Sequence, residues 1–319
     1  MNRSHLPEVR VGSGDVMSPH VALRAYTVLL TAEPRRGSTL VLSSSVTVSD
    51  VPRWCNFFRI FAGMSVKCVK FVVKLCAMQQ NIRGIVLRVI KYSDTQSVVT
   101  IFSRESGRVS FLSPSGNTRE AARRRAILVP FGAIEGILTT KSGSDLGKVS
   151  DLIRGQVRDF TFNPIKSIIA LFLSDVLYVL LKEQQPDSLM YDYLEVSSDT
   201  LGRITNRTAI ANFHISFLLG LIRLLGIEPD ISTYSSGKVL DMRDGVWRNS
   251  VPFHSNFLDP VRSRVAATII LKMNMRNMHL FKFTREERNE VVDAILSFLS
   301  LHVTNLSGVK SLDVVRGLF

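Results

Sequence analysis

Near residue 160 the apolar pattern changes period from two to about 3.6, and this switch constrains the fold more than any single motif. Upstream, residues 81–92 (NIRGIVLRVIKY) place Ile85, Leu87 and Val89 on one face of a strand and Val86, Arg88 and Ile90 on the other. Residues 97–104 (SVVTIFSR) and 108–112 (RVSFL) flank Glu105-Ser106-Gly107, a hairpin signal with glycine in the turn. Residues 126–129 and 133–140 (AIEGILTT) add β-branched runs, Lys141-Ser142-Gly143 makes the next turn, and residues 148–153 supply a last strand. Between them, residues 119–125 (REAARRR) read as a polar, basic link. About five short strands in so little chain predict a small closed barrel, because closure removes exposed sheet edges.

Downstream the signals are helical. Asn163-Pro164 pairs an N-cap with proline at the first helical position, and Ile165, Ile168, Ile169, Phe172, Leu173, Val176, Leu177 and Leu180 recur at helical spacing. Residues 187–196 predict a shorter helix, and residues 208–225 a long apolar one closed by Gly226. Residues 228–257 are irregular, and Arg243-Asp244-Gly245 between residues 238–242 and 246–248 predicts a small surface hairpin. Helical spacing resumes over residues 261–272. Thr284 and Glu287 form a capping box for a helix to residue 301, and residues 311–318 end the chain as a short helix. The class is therefore α+β, barrel first and helical domain second.

Residues 1–47 show no sustained periodicity and no secretory signal order. Residues 54–76 are basic and apolar, with Lys67, Lys70 and Lys74 on one helical face, which fits a membrane-surface helix. The preferred reading makes residues 1–77 an extension, disordered or upstream of the true start, since a strand pattern begins directly after Met78. No apolar run reaches the roughly 20 residues of a membrane span, and no membrane role is expected. Cys55, Cys68 and Cys76 form no CxxC pair, which fits a reducing cytoplasm rather than a disulfide scaffold.

Forty Lys and Arg against 27 Asp and Glu give a net charge of +13, which favours polyanionic partners. Residues 78–162 hold thirteen cations and seven carboxylates, whereas residues 163–319 hold seventeen and sixteen, so the barrel carries the basic character. Catalytic signals are missing. His214 lies inside an apolar helix without a nucleophile motif, where a core role outweighs a general base. There is no HExxH, Walker A or GxSxG sequence, and His254, His279 and His302 are too scattered for a metal site. These absences argue against an enzyme, a cofactor or a metal.

The run GIVLRVIKYSDTQSVVTIFSRESGRVSFLSP, followed by RRRAILVPFGAIEG and closing on KSLDVVRGLF, resembles the bacterial recombination mediator family RecO. The resemblance spans about residues 82–319. It rests most specifically on Gly84, Tyr92, Thr100-Ile101-Phe102, Gly107 and Pro130-Phe131. It implies a five-stranded oligonucleotide-binding (OB-fold) barrel over residues 78–158 and a helical domain over 159–319. It also implies a cytoplasmic, nucleoid-associated role in DNA repair. Such a protein binds single- and double-stranded DNA, anneals complementary strands and, with RecR, helps load RecA onto DNA coated by single-strand-binding protein. Some members carry a four-cysteine zinc module in the helical domain. The matching stretch here, an insertion at about residues 232–257, has no cysteine, so no zinc is expected.

The cations assigned to phosphate are Arg83, Arg88, Lys91, Arg104, Arg108, Arg119, Arg123, Arg124, Arg125, Lys141 and Lys148. Arg123 to Arg125 rank first, because three adjacent cations should not all be sequestered in pairs. Tyr92 is the base-stacking candidate; Phe102 and Phe111 fit the barrel core better. The acidic C-terminal tail of single-strand-binding protein would want a groove rimmed by cations, with Arg203, Arg207 and Arg223 near the long helices. The competing class is a non-catalytic protein-interaction scaffold whose basic face does not touch DNA.

Overall fold

The computed structural model describes residues 77–141, 146–182 and 185–318. The expectations for the front segment, with its three cysteines, lie outside the described residues.

Five strands close into a barrel in the order β1-β2-β3-β5-β4: β1 Ala77–Lys91, β2 Gln96–Ser103, β3 Gly107–Pro114, β4 Ala133–Lys141 and β5 Leu146–Arg154. The first strand closes the barrel because it is long enough to serve two neighbours. Its first half pairs with β4 and its second with β2, and Gly84 sits in both ladders. A Cβ at Gly84 would lie 2.6 Å from Ile101 Cδ1, so glycine permits the close approach there. The parallel pair β3–β5 completes the ring. Ile82, Val86, Val99, Ile101, Phe111, Ile134, Leu138, Val149 and Leu152 fill the interior.

The expected two-face pattern of β1 is broken. A bulge between Val86 and Arg88 shifts the register, Ile85 and Leu87 are buried outside the barrel, and Val89 is 41% exposed. The stretch 119–125, expected to be a link, is the helix α1 (Arg119–Ile127). Thr118 caps it, accepting from Ala121 N, and only Ala121 is buried, so no apolar stripe announced it. That helix also absorbs residues 126–127, which were expected to be extended.

The helical body comprises α2 Pro164–Leu180, α3 Ser188–Arg203, α4 Arg207–Leu224, α5 Pro260–Lys272, α6 Arg285–His302 and α7 Leu312–Arg316. The capping residues act as read: the Asn163 side chain accepts from Ile165 N and Lys166 N, Thr284 and Glu287 form the capping box, and Gly226 takes φ +69° after α4. Helix α3 runs seven residues past the expected end at Val196, to Arg203.

The expected surface hairpin is part of a three-stranded sheet, β7-β6-β8, from β6 Val239–Asp241, β7 Val246–Arg248 and β8 Phe257–Leu258. It is not a surface feature, since Val239, Leu240, Met242 and Trp247 are buried. Asp241 ties its turn. Its carboxylate accepts from Arg243 N and Asp244 N and pairs with Arg248 and His254. Burial alone would raise the Asp241 pKa, but these donors outweigh it and hold the carboxyl below its usual range.

Barrel and helices share one core. Ile85, Leu87, Phe102, Phe131 and Ala133, from the outside of the barrel, pack with α2 and α4 side chains such as Phe172, Leu173, Val176 and Phe217. Phe131 pins the seam from a left-handed backbone, φ 62°, which ordinarily costs a non-glycine residue on the order of 1–3 kcal/mol. Three contacts hold it there. Its N–H donates to Val86 O at 2.8 Å, its carbonyl accepts from Ser198 Oγ at 2.8 Å, and its ring meets Phe217 edge-on at 5.4 Å.

Candidate nucleic-acid interface

The expected phosphate cations do not form one patch: some lie at the seam with the helices, others near one mouth of the barrel. Arg88, Arg104 and Arg108 belong to the seam. Arg108 Nη1 donates to Tyr178 O at 2.8 Å and Leu181 O at 3.1 Å, Arg104 pairs with Asp192 at 2.5 Å, and the guanidinium carbons of Arg88 and Arg108 lie 4.6 and 4.3 Å from the Tyr178 ring centroid. Outward positions on the barrel meet the helical body there, so Arg104 and Arg108 bond to protein, whereas Arg88 stays exposed and touches only the Tyr178 ring. Arg83 is paired with Glu105 at 3.3 Å on the exposed barrel surface, and that carboxylate raises the guanidinium pKa.

The other set gathers around one end of the barrel, where the interior changes character. Val99 and Phe111 face each other in the core; two residues further out the opposed pair is Ser97 and Ser113, and Lys91 opposes Ser97 across β1. The mouth is thus lined by hydroxyls, with Lys91, Asp94, Thr95, Ser97, Ser115, Gly116 and Asn117 around a polar pocket. The buried hydroxyls of Ser113 and Ser115 have no hydrogen-bond partner among the described residues, an uncommon condition for buried polar groups. Arg125 reaches this rim from α1, donating Nη1 to Ser115 O and Gly116 O at 2.8 Å each. Both acceptors are neutral carbonyls, so no carboxylate offsets the guanidinium among the described residues. Lys91 pairs with Asp94 at 2.9 Å, both well exposed, a bond worth little in water. Next to it Tyr92 is 68% exposed.

Helix α1 pairs two of the three adjacent cations, Arg123 and Arg124, with one carboxylate and leaves Arg125 without one among the described residues. Glu120 lies three and four residues before Arg123 and Arg124, and its carboxylate approaches them at 3.8 and 2.7 Å. The hydrogen bond with Arg124 holds the Glu120 carboxyl below its usual range. Arg124 is mostly buried and also donates to Val149 O at 3.0 Å, so it fastens α1 to β5. Arg119 and Lys148 are exposed and make no ion pair among the described residues. The Lys141 side chain lies outside the described residues.

Lys148 ends a transverse row, since Ile90, Val98, Leu112 and Lys148 are neighbours on β1, β2, β3 and β5. Ile90 is 45% exposed and Val98 and Leu112 are half-buried, which makes an apolar strip beside the mouth. The sequence reading missed both the strip and the serines. Phe111 lies in the barrel core as expected, whereas Phe102 is buried at the seam.

Among the described residues no group of three His, Cys, Asp or Glu side chains is placed to hold a metal, and no helix is long and apolar enough to cross a membrane.

The architecture defines an oligonucleotide-binding type of barrel joined to a helical body, with a cationic, hydroxyl-lined mouth. Family models described as the N-terminal and C-terminal regions of recombination protein O match residues 78–155 and 162–313. The DNA repair protein RecO of Phocaeicola vulgatus is 33% identical over 244 residues, covering 76% of this chain and 100% of that protein. Its counterpart in Bacteroides fragilis is 32% identical with the same coverage, and that of Porphyromonas gingivalis is 30% identical over 245 residues, 74% of this chain and 98% of its own. The chain belongs to the RecO family of DNA repair proteins.

Proposed function

We propose that this chain is a non-catalytic DNA-binding mediator that takes up single-stranded DNA at the barrel mouth and brings complementary strands together. Residues 78–158 form the DNA-binding unit and residues 159–319 the partner-binding unit. The observation that carries this reading is the convergence of Lys91 and Arg125 on a rim with two unpartnered serine hydroxyls, with the exposed Tyr92 next to Lys91 in the chain. Charged donors and hydroxyls suit a phosphate, and an exposed ring beside them suits a stacked base. The apolar row ending at Lys148 extends the track across the sheet. Neutralising phosphates releases counterions and lowers the repulsion between two strands, so annealing needs no bond-making step. Double-stranded DNA presents the same phosphates.

Family membership supports the wider role: action with RecR, engagement of single-strand-binding protein and assistance to RecA at the nucleoid. The test is annealing of complementary oligonucleotides coated with single-strand-binding protein. The chain should accelerate duplex formation; an unchanged rate would refute the proposal.

A further inference from the structure

A groove of about 490 Å³ opens in the helical body between α4, α5, α6 and the small sheet. Its floor is aliphatic, from Leu219, Ile222, Leu240, Ile269 and Ile295, and Val261 on its lip is 65% exposed. Among its described lining residues Arg262 is the one cation, against the carboxylates Glu228, Glu287, Glu290 and Asp293. Arg262 is held by Glu290 at 3.2 Å and Asp259 at 3.7 Å, Glu228 pairs with Arg223 at 2.8 Å, and Arg316 pairs with Asp293 and Asp313. Glu287 accepts from Thr284 N at 2.8 Å. Among the described lining residues one arginine therefore faces four carboxylates, and the rim is negative.

This groove is not the cation-rimmed one expected for an acidic tail. Arg203 is tied to Asp199 on α3, neither it nor Arg207 lines the groove, and Arg223 is occupied by Glu228 and by the carbonyls of Ile270 and Met273. An acidic peptide entering here would meet four lining carboxylates against one lining cation. The chemistry that fits is the opposite one.

We propose that the groove docks a cationic amphipathic helix of a partner protein, with apolar residues at i, i+3/i+4 and i+7 on the aliphatic floor and Lys or Arg flanks on the carboxylate rim. Along α6, Glu287, Glu290 and Ala294 follow one helical stripe and Val291, Ile295 and Phe298 the next, so acidic rim and apolar floor run side by side, as a helix-in-groove complex requires. Ala266 and Ala294, both half-buried in the lining, leave the width open.

The test uses two fluorescent 18-residue peptides with the same leucine face, one with lysine at every polar position and one with glutamate, in anisotropy titrations with the full chain. The lysine peptide should bind at least tenfold more tightly. Ala266→Trp should weaken it at least tenfold by filling the groove. The double substitution Glu290→Lys and Asp293→Lys should reverse the preference, and because both side chains are about half-exposed and lie outside the Thr284–Glu287 capping box, circular dichroism can check that this variant keeps the fold. Equal or tighter binding of the glutamate peptide, indifference to Ala266→Trp, or loss of binding only through dissociation of a self-dimer in sedimentation would overturn the proposal.

Discussion

Acidification should destabilise this protein through one buried residue. His214 on α4 is 1% exposed, its Nδ1 has no hydrogen-bond partner among the described residues, and the ring lies edge-on to Phe172 with centroids 6.1 Å apart. Burial, with a smaller contribution from the nearby Arg288 charge, pushes its pKa down to about 3. In the unfolded chain the imidazole titrates near 6.5, so below that pH the unfolded state binds a proton that the native state refuses. The depressed value means that stability is complete above about pH 6.5 and lost progressively as pH falls toward 3. At about 1.4 kcal/mol per pKa unit, the loss between pH 7 and pH 5 is about 2 kcal/mol. Urea unfolding followed by circular dichroism at the two pH values, for the wild type and His214→Leu, isolates the effect, because every other titrating group is common to both. The wild type should lose about 2 kcal/mol more than the variant. Equal losses would refute the reasoning, showing that the ring is protonated or hydrated inside the folded core.

Arg108→Ala should cost roughly 2–4 kcal/mol in chemical unfolding, since two charge-assisted hydrogen bonds to α2 carbonyls and the Tyr178 contact disappear together, and Arg108→Lys should recover less than half of it. Glu120→Gln should strengthen single-stranded DNA binding at low salt and steepen the salt slope by about one unit, because Arg123 and Arg124 lose their shared carboxylate; an unchanged slope would place α1 off the DNA path. Gly220→Ala should destabilise by about 1–3 kcal/mol in thermal melts. The added Cβ would lie 2.3 Å from Tyr193 Oη, which donates to Phe217 O at 2.6 Å.

What the sequence made readable was local. The Gly107 turn, the Asn163 and Thr284 caps and the Gly226 terminator each act within a few residues of their own position, so spacing alone exposes them. Helix α1 escaped because only Ala121 of its nine residues is buried, which leaves no apolar period; Thr118 with Glu120 in the first turn was the available signal. The mouth depends on partners far apart in the chain. Ser97 and Ser113 look like ordinary polar strand residues until the β2–β3 register sets them opposite each other above Val99 and Phe111. The charge count placed the basic character in the barrel, but it could not distinguish cations facing solvent from Arg104 and Arg108, which fasten the barrel to the helices. Trp247 on the floor of the small sheet shows the same limit, since a three-residue strand carries too little pattern to reveal that it is buried.

The central claim is that the barrel mouth gathers DNA backbones, and the most direct measurement is the affinity of a fluorescent single-stranded oligonucleotide across a salt series. Lys91→Ala combined with Arg125→Ala should weaken binding at every salt concentration and reduce the slope of log K against log salt by nearly two units, because two phosphate contacts release their counterions no longer. An affinity and slope equal to the wild type, in a variant that melts normally, would contradict it.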